Sequence, residues 1–166
     1  MILPFQVIKL DYQIKYELKC FIRELRNSYP TGGLYLIVGQ HGTGKTDTLK
    51  KIAEQLNESV VNLNLELSKA LLEIPMMDRP YRAMKFFDRL PEMGNNFLLL
   101  DNIELLFEPK LKLRALSALR NIARKKSVIA TWPGEVTGNK LLHATRGHPE
   151  YFEGYLEKEI VLMSPC

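Results

Sequence analysis

The residues whose types and spacing carry chemistry lie between positions 39 and 46, where the chain reads Gly39, Gln40, His41, Gly42, Thr43, Gly44, Lys45, Thr46. This run satisfies G-x-x-x-x-G-K-[ST] at every fixed position. Glycine is about 7% of average sequence, so a chance match in a chain this short is on the order of one in a hundred. The chemistry is phosphate capture. Glycines let the backbone wrap until successive N–H groups face one phosphate, and a helix that starts at the lysine adds the positive end of its dipole. Lys45 then reaches the β- and γ-phosphates and the Thr46 hydroxyl ligates Mg²⁺. ATP and Mg²⁺ are the cofactors this implies, with Gly39 to Thr46 and the following Asp47 as candidate nucleotide-binding residues and His41 close to the cradle.

Such a loop needs a second metal-side carboxylate at the end of a neighbouring parallel strand. The run Phe97 to Leu100 ends on Asp101, at a suitable distance along the chain, so Thr46 and Asp101 form the expected metal pair. The next residue is Asn102, whose amide can orient a water molecule but cannot accept its proton. Glu104 lies one helical turn beyond Asp101 if the chain coils there, and is either a substitute acid or a solvated one. Phosphoryl transfer depends mainly on positioning and electrostatics, so Asn102 should slow turnover without abolishing it.

Around these residues the apolar pattern predicts the elements that position them. Ile14, Leu18, Phe21, Ile22 and Leu25 recur at helical spacing between Asp11 and Asn27, a stretch closed by Pro30 and Gly32-Gly33. Leu34 to Val38 reads as a strand buried on both faces, followed by a helix from Lys45 to about Leu56. Val60 to Leu65 reads as a second strand. Ser68 to Ile74 and Tyr81 to Leu90 read as helices separated by the Pro75 to Pro80 break. Phe97 to Leu100 is a third strand, Lys110 to Lys126 a long helix and Ser127 to Thr131 a fourth strand. After Trp132-Pro133-Gly134 the pattern becomes loop-rich, with a fifth strand at Glu159 to Met163. Continuous apolar strands alternating with helices mean α/β: a mostly parallel sheet covered on both faces, here as one domain of residues 1–166 with a leading helical segment (1–30) and a nucleotide-binding core (33–166).

Composition sets the outer limits. The chain has 166 residues, 46% hydrophobic and 25% charged, with 2 cysteines and a net charge of +4, proportions that exclude disorder and a disulfide framework. No run of 18 apolar residues and no basic leader are present, so the expectation is a cytoplasmic protein without a membrane partner. Cys20 and Cys166 read as a buried small residue and a frayed end. His41, His143 and His148 lack metal-ligand spacing. From Lys110 to Lys126 there are seven basic residues and no acid. On a continuous helix Lys110, Arg114, Arg120, Arg124 and Lys125 share the arc opposite Leu113, Leu116, Leu119, Ile122 and Ala123. That stripe fits duplex phosphates, an acidic partner or neighbouring nucleotide, or a plain solvated face. Within His143 to Phe152, Arg146 is the residue able to reach a phosphate.

Taken together, GQHGTGKT, FLLLDNIELLF, VIATWPG and GHPEY resemble the BrxF family, small P-loop proteins of type 3 BREX phage-defence systems, from about Gly33 to the end of the chain. The resemblance implies a nucleotide-binding accessory to other BREX proteins, in a complex that marks host DNA by methylation and blocks phage replication, without methyltransferase or nuclease activity of its own. More widely, the order of elements is similar to the AAA+ or ORC-like ATPase core. That core implies a glutamate directly after the strand-end aspartate, where this chain has Asn102, and a polar γ-phosphate sensor where it has Thr131. The chain also lacks room for a C-terminal helical lid, and both departures argue against an autonomous ring motor. The function expected is a weakly hydrolysing, ATP-dependent switch or assembly subunit, with homo-oligomer formation open. The alternatives are a small-molecule kinase and a binding module that uses nucleotide only for stability.

Overall fold

The computed structural model describes residues 6–9, 14–28 and 32–163. The start of the leading helix before Ile14, its stop at Pro30, and Cys166 lie outside them. The elements are β1 (Gln6–Lys9), α1 (Ile14–Ser28), β2 (Leu34–Gly39), α2 (Lys45–Leu56), β3 (Val60–Asn62), α3 (Leu63–Leu71), α4 (Arg79–Arg89), β4 (Phe97–Asp101), α5 (Ala115–Ala123), β5 (Ser127–Pro133), β6 (Glu135–Thr137), β7 (Lys140–His143), β8 (Phe152–Tyr155) and β9 (Ile160–Met163). Six strands form one sheet in the order β1-β9-β2-β5-β4-β3, paired in parallel throughout.

The period of two along a strand divides the core. Leu34, Leu36 and Val38 of β2, Leu98 and Leu100 of β4, and Val128, Ala130 and Trp132 of β5 pack under α3, α4 and α5. The intervening Tyr35, Ile37, Phe97, Leu99 and Ile129 pack under α1 and α2. Both faces are covered, which is why the central strands carry unbroken apolar runs. Among the described residues no helix is long and apolar enough to cross a membrane.

Several elements differ from the sequence expectation: the helix expected at Ser68 to Ile74 runs over Leu63–Leu71, the one expected at Tyr81 to Leu90 over Arg79–Arg89, and the fourth strand continues to Pro133. The second strand stops at Asn62, because the Asn62 side chain accepts the Leu65 N–H at 3.1 Å and caps α3. Leu63, Leu67 and Leu71 then face the core at helical spacing, and the alternation in Val-Asn-Leu-Asn-Leu had imitated a strand. The long basic helix is shorter than expected. Pro109–Leu111 is a 3₁₀ turn capped by Glu108, Lys112 is left-handed at φ 52°, and α5 begins only at Ala115. After Trp132 the chain is not loop-rich. β6, β7 and β8 make a three-stranded antiparallel sheet, with Ala144 and Gly147 turning the chain at positive φ between β7 and β8. Gly134 is required at the step into β6, since a Cβ there would lie 1.8 Å from the Leu142 carbonyl oxygen. β1 was also not foreseen; it pairs with β9 at the sheet edge.

Candidate functional site

The loop after β2 has the shape its glycines permit. Gly42 and Gly44 sit at φ 80° and 81°, a region that side chains resist, and Gly44 leads directly into α2. Gly39 is confined from another side: a Cβ there would meet the Thr43 hydroxyl at 2.3 Å. The Thr43 hydroxyl donates to the Gln40 carbonyl at 2.8 Å, closing the loop on itself. The first N–H groups of α2 have no partner within the helix. His41, Gly42 and Asp47 are exposed and Thr46 is half-buried.

Two neighbouring strands complete the site. Register places Leu100 of β4 opposite Ala130 of β5, so Asp101 and Thr131 arrive side by side, while Ile37 of β2 lies opposite Thr131. Both polar residues are buried, and the Thr131 hydroxyl donates to Asp101 Oδ1 at 2.7 Å. Asn102 N–H donates to the same oxygen at 3.0 Å. Both bonds converge on Oδ1 and orient the carboxylate.

The chain then turns sharply. Asn102 is left-handed at φ 52°, a conformation asparagine tolerates better than most residues, and its side chain is exposed. A 3₁₀ turn over Glu104–Phe107 follows. Asn64, at the start of α3, holds this segment at three points. Its N–H donates to the Asn102 carbonyl, its Oδ1 accepts the Leu105 N–H, and its Nδ2 donates to Glu104 Oε2, each at 2.9 Å. Sequence reasoning missed Asn64; its only signal was a second amide close to the end of the strand beside β4.

Lys45 links loop and acids. Its Nζ donates to the Gln40 carbonyl at 2.7 Å. Burial lowers its pKa from the ordinary lysine value, and the negative charges of Glu104 and then Asp101 oppose that shift. The structure thus brings together Gly39 to Asp47, Asp101, Asn102, Glu104 and Thr131. The residues fit a nucleotide with its metal: a glycine-shaped cradle at a helix start, one flexible cation, and an oriented carboxylate beside it. Lys45 and the cradle would hold phosphates, with Thr46 and Asp101 on the metal side.

The basic stripe is not assembled as expected. Lys110 sits on the 3₁₀ turn and Arg114 precedes α5, so neither belongs to the α5 surface, although both are exposed. Arg120 is no solvated cation. Its Nε donates to Glu159, a residue only 3% exposed, its Nη2 donates to the Tyr155 carbonyl at 2.6 Å, and Glu157 lies 3.5 Å from Nη1. The acids that neutralise it come from the β8–β9 connection, which inspection of one helix cannot reveal. Arg124 and Lys125 remain exposed. Arg146 lies 3.8 Å from Glu153 of its own hairpin. His143 stacks on Phe107 at 3.8 Å between ring centroids, and His148 Nδ1 accepts the Glu150 N–H within a turn.

A parallel sheet covered on both faces, a phosphate-shaped loop after a central strand and an acid ending the strand two places away define a P-loop nucleotide-binding protein of the α/β class. Residues 35–131, from β2 to the end of the site on β5, match the model of the ATPase family associated with various cellular activities (AAA), and the chain belongs to that family. No curated protein matches the sequence.

Proposed function

We propose that the chain is an ATP·Mg²⁺-binding, slowly hydrolysing switch subunit of a cytoplasmic phage-defence complex of the BREX kind. One observation carries the nucleotide part. Lys45 lies between a preformed phosphate loop and two carboxylates, Asp101 and Glu104, while the position after Asp101 holds an amide in place of a base. When bound, Mg²⁺ would supply charge neutralisation between the phosphates. The protein's own residues supply position: Asp101 is fixed by Thr131 and the Asn102 N–H, and Glu104 by Asn64. Glu104 is the acid available to take a proton from water, two residues later than a dedicated base would stand, and turnover is therefore slow.

The defence assignment rests on the order of FLLLDNIELLF, VIATWPG and GHPEY in one short chain. In this reading nucleotide state controls assembly with other BREX proteins, and contact with DNA comes through those partners. With Arg120 engaged inside the fold, Lys110, Arg114, Arg124 and Lys125 are too dispersed for more than weak duplex binding. Lys45→Ala tests the nucleotide part. Affinity for ATP should fall at least tenfold, about 1.4 kcal/mol, while melting without nucleotide stays unchanged. Equal ATP binding by both proteins would refute it. Affinity capture from the native host with and without ATP tests the partners: co-purification of BREX proteins in one nucleotide state is expected, and their absence in both states overturns the assignment.

A further inference from the structure

Among the described residues nothing covers the outer face of the hairpin of α3 and α4. Leu63, Leu67 and Leu71 of α3 and Ala83 and Phe87 of α4 point into the core. At 100° per residue the opposite arc of α3 and its last turn carries Leu65, Lys69, Leu72 and Glu73, and that of α4 carries Tyr81, Lys85 and Asp88. Large apolar groups stand in solvent here: Leu72 is 77% exposed, Met77 93%, Tyr81 62% and Met84 56%. Between the helices runs a groove of about 670 Å³, floored by Ala70, Phe86 and Leu90, edged on the α4 side by Arg82, Lys85 and Arg89, and closed beyond α4 by Met93 and by Glu92, which lies 3.8 Å from Arg89. On the other side Glu66 pairs with Lys69 at 3.2 Å and Glu73 follows the end of α3, so that side carries a net negative charge.

Charge therefore divides between the two helices. Residues 63–73 carry Glu66 and Glu73 against Lys69, whereas 79–89 carry Arg79, Arg82, Lys85 and Arg89 against Asp88. A two-fold axis through the groove sets α3 of one copy over α4 of the other and opposes acid to base twice. Stacking α4 on α4 would oppose like charges and is disfavoured. We propose that this face is an isologous homodimer interface, a four-helix layer with Glu66 and Glu73 of each copy against Arg82, Lys85 and Arg89 of the other. The exposed Leu72 and Tyr81 are buried between them. Helices of 9 and 11 residues give a footprint of about 15 by 20 Å. Over both copies that is roughly 600 Å², below stable specific interfaces and in the range of weak, transient ones, so the dimer forms only towards high micromolar concentration. The proposal goes beyond the nucleotide-switch reading and does not depend on it.

The test is sedimentation velocity on the full chain across about 1 to 200 µM, a range that brackets a weak interface of this size. A monomer–dimer equilibrium weakened by salt is expected. Arg82→Glu with Lys85→Glu, and separately Glu66→Lys with Glu73→Lys, should each weaken dimerisation at least tenfold while keeping the wild-type circular dichroism. Mixing the two variants should restore a heterodimer, because both contacts become complementary again. A wild-type monomer throughout the range overturns the proposal, as do dimers indifferent to the reversals or variants that stay monomeric when mixed. Capture of a synthetic acidic amphipathic helix by a monomeric wild type would also overturn it, assigning the face to a different partner.

Discussion

Arg120→Ala separates a structural arginine from a nucleic-acid contact. In the native chain burial alone would raise the pKa of the Glu159 carboxyl. The hydrogen bond from Arg120, the N–H groups of Glu157 and Glu159, and the Arg120 charge together outweigh burial and hold it below the usual carboxylate range. Removing one partner of a buried pair costs about 3–5 kcal/mol. Here the loss is capped, because Glu159 can instead take up a proton, which at pH 7 costs a glutamate of ordinary pKa about 3–4 kcal/mol. The Glu157 N–H, at 2.6 Å from Glu159 Oε2, stays in place and softens the loss further. The expected destabilisation at pH 7 is about 2–4 kcal/mol, or a fall in melting temperature of roughly 5–15 °C for a chain of this size.

The pH dependence supplies the sign. A carboxyl depressed in the folded state adds stability that is present above its unfolded pKa and is lost as pH falls through the folded one. In the variant burial is left unopposed by arginine, the folded pKa lies above the unfolded one, and stability rises on acidification from pH 7 towards 5. The two proteins therefore converge near pH 4. Urea unfolding followed by circular dichroism at both ends of that range measures the gap. A loss below about 0.5 kcal/mol at pH 7, the size of an ordinary surface change, or a gap that does not vary with pH would refute the reasoning.

Wild-type turnover should stay below about 1 s⁻¹, and a brisker rate would remove Asn102 as the cause of slowness. Asn102→Glu should leave ATP binding intact and raise the rate, while its left-handed backbone lowers stability by about 1–2 kcal/mol in urea unfolding. Glu104→Gln should abolish the residual rate without weakening ATP binding; unchanged hydrolysis would exclude it as the acid. Asn64→Ala, which frees Glu104 and the 102–105 turn, should lower kcat with KM near the wild-type value. An effect confined to KM would make Asn64 a structural residue only.

The sheet and the loop were legible because the rules behind them are local. Five apolar residues between glycines read as a doubly covered strand whatever follows, and the fixed glycines of the loop report backbone needs that the structure shows directly at Gly39 and Gly44. Asp101 was readable as a strand end, although the Thr131 hydroxyl bond to it depends on β5 lying between β2 and β4, which no window of sequence contains. Periodicity failed where two periods agree over a few residues. Val-Asn-Leu-Asn-Leu satisfies a strand until Asn62 caps a helix, and Lys110 to Lys126 satisfies a helix until Lys112 turns left-handed. Charge failed for a different reason: a cation on an amphipathic face is neutralised by whatever packs beside that face, and Glu159 is 39 residues away from Arg120.

The turn after Asp101 joins these limits to the chemistry. A glutamate at 102 would be the direct replacement for the missing base, but the backbone there is left-handed and suits asparagine. The same turn carries the chain into a 3₁₀ segment that brings the next acid, Glu104, under the amide of Asn64 and close enough to Lys45 to outweigh Asp101 in its effect on the ammonium. An acid held by one neutral hydrogen bond is easier to redirect than one fixed by two, as Asp101 is. Asn64 stands at the start of α3, the helix whose outer face is open for docking. A partner that shifts α3 by a fraction of a turn would therefore move Glu104 before it moved the phosphate loop. If so, binding at that face should change kcat and leave ATP affinity nearly constant. A dimer whose kcat per subunit equals that of the charge-reversed monomer would show that the two ends of α3 act independently.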